Sequence, residues 1–419
     1  DRSPSRGLGD VYKRQGVVLA KGIVFSFLSV LFILPILVLA SEKILNKTAH
    51  RKFLPSFDVF AKWCMRIAVP FTIITALIMV PAYLAQKQPN FVYGASGFVE
   101  PGSQLYEETA TIDAKFGAAE QWVVLVPTGS WGSEKAFASA LENLPGISSV
   151  TSYASSVSER IPTDFVPEES LSQLISGGYS RLIISTNVEG ESDETFALVQ
   201  QVRDLADEYY PGQAHLVGSS VTSYDMSLVV NDDSFKVQLA SILAIGIVLL
   251  FMFRSLSIPL MLLIAIESSI WVNVAIPYFM GTEIQYIGYL IISAIMLGAT
   301  VDYTIILSKS YLDHRKHLNK KPAMLAAISE SAITILTSAT ILTLCGMFIG
   351  LISSNGVIAG LGTLIGRGAF IAALNTFLFL PIMFMIFDKV VEKTTWKAHF
   401  YHNKHGDSGK SLRLASDEE

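Results

Sequence analysis

Seven stretches of this chain are too long, too apolar and too poor in charge to fold in water. They lie at approximately 22–40, 67–86, 237–253, 258–279, 285–308, 328–351 and 363–387. An apolar run of about 18 residues or more is long enough to cross a bilayer. In hydrocarbon the backbone must satisfy its own hydrogen bonds, so the runs are read as helices. Composition agrees, because 51% of the residues are hydrophobic and only 16% are charged, where soluble domains carry about a quarter. Pro35, Pro259 and Pro381 fall inside or at the ends of runs, where membrane helices tolerate them. Cys64 and Cys345 are the only cysteines, which supports neither a disulfide framework nor a cysteine metal site.

Basic residues give the orientation. Lys43, Lys47, Arg51, Lys52, Lys62 and Arg66 crowd the 41–66 segment. Lys309, Arg315, Lys316, Lys320 and Lys321 crowd 309–321, and Lys389, Lys393 and Lys397 open the tail at 389–419. The positive-inside bias puts all three in the cytoplasm. The segment 87–236 holds roughly three acidic residues for each basic one and is expected outside, with the turns near Gly281 and Asn355. Seven alternating crossings then close, with a five-helix bundle over 237–388 and a multi-pass cell-membrane location.

Within 87–236, Trp122–Pro127 and Arg181–Thr186 are β-branched runs bounded by turn residues. Ala136–Leu144 and Glu194–Tyr209 carry apolar residues at helical spacing. Gly146–Tyr153 and Ala214–Val217 can supply two more strands. The order β-α-β-β-α-β is that of a ferredoxin-like split unit, with Ser155–Gly178 as the insertion or loop between its halves. The fold class is thus an α-helical bundle of about seven transmembrane helices with one α+β extracytoplasmic domain.

An internal repeat adds to this. Lys21–Thr48 aligns without gaps to Arg367–Thr394, with Gly22/Gly368, Pro35/Pro381, Lys43/Lys389, Lys47/Lys393 and Thr48/Thr394 identical. The helix at 16–40 is therefore read as the end of an earlier repeat that is mostly missing here, followed by the helix at 67–86. Parallel repeats build many transporters. Residues 1–15 match neither a signal peptide nor the apolar sequence that follows, and are read as non-native sequence.

Asp302 and Tyr303 stand near the middle of an apolar helix, in the run Leu297–Leu307. A carboxylate there costs about 3 kcal/mol on insertion scales, so it must face the bundle interior or a wet cavity. Taking a carboxyl group out of water favours its neutral form, which suits a residue that gains and releases a proton. Tyr303 can donate a hydrogen bond to it or orient water beside it, and Gly298, four residues earlier, would let a neighbouring helix come close. The bland alternative is an Asp that ties two helices together. Glu267, a second intramembrane acid followed by Ser268, Ser269 and Asn273, either joins the proton path or holds two helices in register. Ser331, Thr334 and Ser338 share one helix face and could line such a path, although Ser and Thr are also ordinary packing residues. Glu330 reads as a solvated flank.

His314, His317, His402 and His405 lie in charged segments without a carboxylate cluster, so no metal site is expected. Gly346, Gly350, Gly356, Gly360 and Gly362 sit within or between membrane helices rather than in a phosphate loop. No cofactor, ATP site or nucleic-acid partner is expected.

The run GATVDYTIIL around Asp302 and Tyr303 resembles the MMPL branch of the resistance–nodulation–division (RND) superfamily. So do Ile266–Gly281 (IESSIWVNVAIPYFMG) and Tyr286–Gly298 (YIGYLIISAIMLG), and the order of one helix, a large outer domain, then five helices. The resemblance covers about Gly16 to Thr395. It implies a proton-driven exporter of two repeats, each with a porter-like outer domain and an Asp-Tyr pair. This chain would be the C-terminal half, and Asp302 and Tyr303 the second-repeat pair. Implied partners are membrane lipids, a hydrophobic or amphipathic substrate and the missing N-terminal repeat, with homo-oligomerisation left open. The rival readings are a proton-driven accessory of protein secretion and a non-transporting, sterol-sensing-like receptor.

Overall fold

The computed structural model describes residues 4–48, 56–86, 91–93, 104–116, 120–158, 165, 167–188, 190–396 and 400–401. Among them, seven helices are long and apolar enough to cross a membrane: Ala20–Ile44, Asp58–Ala85, Phe235–Phe253, Ser257–Met280, Ile292–Arg315, Lys320–Ile352 and Gly356–Ile386. The chain is a multi-pass membrane protein. Arg51, Lys52, Lys397, His402 and His405 lie outside the described residues.

Two compact units divide the chain, Asp1–Ser56 and Phe57–Glu419. The described part of the first is one long helix, α1 (Pro4–Thr48), with Pro35 inside it; it includes residues 4–15, the stretch read as foreign. The second unit opens with α2 (Asp58–Ala85). Lys62 and Arg66, assigned to a linker from the sequence, lie in the early turns of this helix, because backbone hydrogen bonding continues past the apolar stretch.

The α+β domain follows. Its elements are β1 (Phe91–Val92), α3 (Gln104–Phe116), β2 (Glu120–Pro127), α4 (Trp131–Glu142), β3 (Ile147–Thr151), α5 (Glu168–Leu174), β4 (Ile175–Ser176), β5 (Tyr179–Thr186), α6 (Asp193–Tyr209) and β6 (His215–Val217). The main sheet runs β3-β5-β2-β6, antiparallel throughout. This is the strand order of a ferredoxin-like split β-α-β unit. Alternation does the work: Trp122, Val124 and Val126 of β2 and Leu182 and Ile184 of β5 all point to one face. There they bury against Phe137 and Leu141 of α4 and Leu198, Val199 and Val202 of α6. The segment read as an insertion or loop, Ser155–Gly178, holds α5 and β4, with residues 159–164 and 166 outside the described set. Gly177 and Gly178, both at positive φ (59° and 82°), turn β4 back onto β5, the conformation that favours glycine in a two-residue hairpin.

From β6 the chain passes straight into α7 (Ser219–Phe253), then α8 (Ser257–Met280), β7 (Ile284–Gln285), α9 (Tyr286–Arg315), α10 (Lys320–Ile352) and α11 (Gly356–Leu374). A π-helical turn, Asn375–Phe379, leads to α12 (Leu380–Ile386) and α13 (Asp388–Thr394). Pro381 has no N–H to donate, and the widened turn lies immediately before it. Helix α8 is the core of the bundle, packed by α2, α7, α9 and α11.

Helices α10 and α11 touch backbone to backbone. A Cβ placed on Gly346 would come within 2.5 Å of the Gly366 nitrogen and 2.7 Å of the Gly362 carbonyl oxygen. Small residues permit this approach, which is how membrane helices gain van der Waals contact. At the end of α9 away from the domain, Arg315 and Asp388 form a buried bidentate pair, at 3.0 Å through Nε and 2.9 Å through Nη2, with side chains 2% and 7% exposed. The Tyr311 hydroxyl donates to Asp388 at 2.7 Å, and Arg315 Nη1 donates to the Leu318 and Tyr401 carbonyls. Burial alone would raise the affinity of Asp388 for a proton. The Arg315 and Tyr311 hydrogen bonds outweigh it and hold the carboxyl below the usual carboxylate range.

Two outcomes follow from this packing. Gly366→Leu should force α10 and α11 apart and cost about 2–3 kcal/mol, read as a lowered thermal midpoint in detergent. Removing one partner of the buried pair by Asp388→Ala should cost about 3–5 kcal/mol. Because the Asp388 proton affinity is depressed on folding, the contribution is complete above the ordinary carboxylate range and is lost as pH falls through it. The gap in thermal midpoint between the wild type and Asp388→Ala should therefore be full at pH 7 and narrow in acid.

Candidate functional site

The intramembrane acids fall on α8 and α9. Asp302 lies on α9 with its side chain exposed and makes no hydrogen bond or ion pair among the described residues. Gly298, one turn earlier on the same face, has open space where a Cβ would stand. The close helix approach expected at Gly298 is thus not made among the described residues. This face of α9 is open.

Tyr303 goes the other way. It is 2% exposed and packed in the main bundle core, and its buried hydroxyl has no hydrogen-bond partner among the described residues. The expected hydrogen bond from Tyr303 to Asp302 is absent for a simple reason. Consecutive residues on a helix point about 100° apart, so one side chain is buried while its neighbour is exposed. Ser338 of α10 faces the Tyr303 hydroxyl, at a geometry looser than a hydrogen bond. Of the other two α10 residues, Ser331 is buried and donates to its own helix at Ala327 O (2.6 Å), whereas Thr334 is exposed. Only Ser338 comes close to the Asp-Tyr pair. Glu330 is a solvated flank, its side chain 66% exposed; it accepts from Ser310 and lies 3.0 Å from His314 Nε2, which joins α9 to α10.

Glu267 is 6% exposed. Its Oε2 accepts from Gln238 of α7 at 3.4 Å, and its Oε1 is buried without a partner. It borders a cavity of about 20 Å³ between α7, α8 and α9, whose polar lining is Gln238, Ser241, Tyr289 and Ser293. That volume suits one water molecule. The Ser293 hydroxyl is also buried and unpartnered. Ser293 and Asp302 are nine residues apart on α9, so they face nearly opposite sides of the helix. Glu267 and Asp302 share neither a hydrogen bond nor this cavity.

The domain-side end of α9 is bound to the α+β domain. β7 pairs in parallel with β1, setting Phe91 opposite Ile284 and Val92 opposite Gln285. Phe91 packs on Tyr286 (5.1 Å between ring centres) and Tyr289 (5.3 Å). Tyr93 stacks on Tyr286 at 5.2 Å and meets Phe196 of α6 at 6.4 Å. The Tyr93 N–H donates to Glu191, whose other oxygen accepts from Ser223 of α7. One line of aromatic contacts thus runs from the Glu267 cavity, through Tyr289, into the domain.

Sequence reasoning missed two polar residues of the bundle, Asn375 and Arg367, and the partners of Ser268, Ser269 and Asn273. Asn375 Nδ2 donates to the Ser268 and Ser269 hydroxyls at 3.1 and 2.8 Å. Arg367 donates from Nε to Asn273 Oδ1 at 2.8 Å and from Nη2 to the Asn273 carbonyl at 2.9 Å. An arginine eleven residues into an apolar helix was a readable signal, but it had served only as the first residue of the internal repeat.

Comparison with known proteins matches residues 129–402 to the MMPL family. The membrane protein ActII-3 of Streptomyces coelicolor is 25% identical over 203 residues, 47% of this chain and 28% of that protein. The "Probable transport protein MmpL8" of Mycobacterium bovis is 24% identical over 234 residues, 53% of this chain and 21% of that protein. The aligned parts thus span about a quarter of the curated relatives. The cryo-EM structure of the hedgehog release protein Disp from the water bear Hypsibius dujardini superposes with a TM-score of 0.57 at 14% identity, covering 82% of this chain and 52% of that one. That likeness shows the fold. An intramembrane Asp-Tyr pair, five helices after a ferredoxin-like domain and a match over more than half of the chain lead to one assignment: this protein belongs to the MMPL family.

Proposed function

We propose that this chain is the second-repeat half of a proton-driven exporter for a hydrophobic or amphipathic substrate, with Asp302 as the group that takes up and releases the proton. The α+β domain is extracytoplasmic in this reading, and the basic ends of α2, α9 and α13 face the cytoplasm of a cell whose plasma membrane holds the protein. The observation that carries the proposal is the setting of Asp302: an unpaired carboxyl on an open face of an otherwise apolar helix. Such a group is costly unless it meets water or a partner.

Charge on Asp302 then alters how that face of α9 packs. With a proton the face is neutral and can close against another helix over Gly298; without one it draws in water. A proton moving down a 100 mV potential releases about 2.3 kcal/mol, enough to bias two packings of one helix by more than tenfold. Helix α9 delivers any such shift to the domain through β7, Tyr286 and Tyr289, while Arg315 fixes its other end. Tyr303 and Ser338 flank the site as hydroxyls that a water chain would use, and Thr334 would line its approach, with the bound Ser331 hydroxyl forming its inner wall. Glu267 and its cavity form a second protonatable point that would relay between α7, α8 and α9.

Asp302→Asn should abolish substrate export and substrate-linked proton uptake in membrane vesicles of producing cells, with the protein still inserted and folded. Retained export would end the proposal. Tyr303→Phe should slow export by about tenfold, less than the hundredfold or more that a direct proton-transfer group contributes, since Tyr303 acts beside Asp302 and not in its place. Glu267→Gln separates two roles: a relay residue loses proton coupling, whereas a helix tie keeps it, since the amide still bonds Gln238.

A further inference from the structure

Arg367 carries a charge that nothing among the described residues balances. It lies on α11 in the half of the membrane nearer the α+β domain, and its guanidinium is held at the level of Asn273, which stands seven residues before the end of α8, a depth of about 10 Å. Asn273 is fully buried and fixed on every side. Its Nδ2 donates to Leu364 O at 2.9 Å, its Oδ1 accepts from Arg367 Nε, and its carbonyl accepts from Arg367 Nη2. The guanidinium is therefore held by two hydrogen bonds in one orientation. Its Nη1 makes no bond, and no carboxylate pairs with it, among the described residues.

A tie between α8 and α11 does not need that charge. Eight residues further along the same helix run, the neutral amide of Asn375 bonds Ser268 and Ser269 and joins the same parts of the bundle. Nor is the cation peculiar to this helix, since the gapless internal repeat sets Lys21 opposite Arg367. An unbalanced cation in a membrane helix marks a ligand or a partner.

The packing leaves room for one. Helix α2 packs on α8, on α10 and on the π-helical turn after α11, but makes almost no contact with α11 itself. Thr72 of α2 reaches the carbonyl of Leu378, beyond the end of α11, and nearer the domain Ala82 and Ala85 of α2 pack on Ala275 of α8. On that side α2 and α11 are joined through α8 rather than to each other. Both helices carry exposed apolar side chains, Ile73, Leu77 and Leu84 on α2 and Ile358 and Phe370 on α11, as suits contact with acyl chains.

We propose that Arg367, oriented by Asn273, binds the acidic headgroup of a membrane lipid standing against α11 in the domain-side leaflet. A planar guanidinium with free N–H groups matches phosphate oxygens, and the lipid is drawn down by the charge that the helix cannot neutralise itself. The inference does not rest on Asp302 or on proton coupling.

Native mass spectrometry of the detergent-solubilised full chain tests it, with phosphatidylglycerol and phosphatidylcholine as competing probes. The wild type should retain one phosphatidylglycerol over phosphatidylcholine by about fivefold, as expected for one cation near the headgroup region. Arg367→Gln should lose that preference and Arg367→Lys keep most of it. Asn273→Asp, which supplies a counter-ion in place and keeps both bonds from Arg367 while giving up the one to Leu364 O, should lose it as well, and decides the matter should Arg367→Gln fail to fold. A wild type without preference, or an Asn273→Asp protein that retains the wild-type preference, would overturn the assignment and leave Arg367 as a structural tie.

Discussion

Hydrocarbon offers a polar group nothing to bond with, and the structure follows from that constraint. Every spanning segment is a helix because the backbone must pair within itself. Polar side chains of the bundle mostly find partners too: Asn375 with Ser268 and Ser269, Asn273 with Leu364 and Arg367, Ser331 with its own helix. Several exceptions lie on two helices. Glu267 Oε1 on α8, and Ser293 and Tyr303 on α9, are buried without partners, and Asp302 on α9 stands exposed. Each buried group left without a partner calls for an explanation, such as a bound water or a role in handling protons.

Helix α9 is unusual in being held at both ends by different means. Aromatic contacts and a short strand pair bind its beginning to the α+β domain. A buried ion pair and the Tyr401 carbonyl bind its end to α13 and the chain beyond it. Its middle buries Met296, Leu297, Tyr303 and Leu307 against neighbours and leaves Asp302 on an open side. A charge change there acts on a segment whose two fixed ends already reach the domain and the opposite membrane face.

Much of this could be read directly from the residues. The seven apolar runs found the seven helices, and the strands Trp122–Pro127 and Arg181–Thr186 found the centre of the sheet, because alternation and run length are local properties. What stayed hidden depended on three-dimensional direction. Asp302 and Tyr303 are neighbours in sequence and so seemed partners, yet the helix turns them apart. Ser331, Thr334 and Ser338 share a face by spacing, yet that face passes from buried to exposed along its length. The Arg315–Asp388 and Arg367–Asn273 pairs join residues 73 and 94 apart, and no periodicity announces them.

The strand pair at the start of α9 limits which movements that helix can make. Helix α9 begins at the residue after β7, with no loop to absorb a displacement. Sliding along its axis would drag β7 past β1, and the smallest step that restores hydrogen bonding is one residue, about 3.3 Å. That step would turn buried Ile284 outward and bring Gln285 in. Rotation about the axis only twists two short strands, which sheets accept readily. The joint is stiff to piston motion and compliant to torsion, so what reaches the domain from α9 is a turn rather than a push.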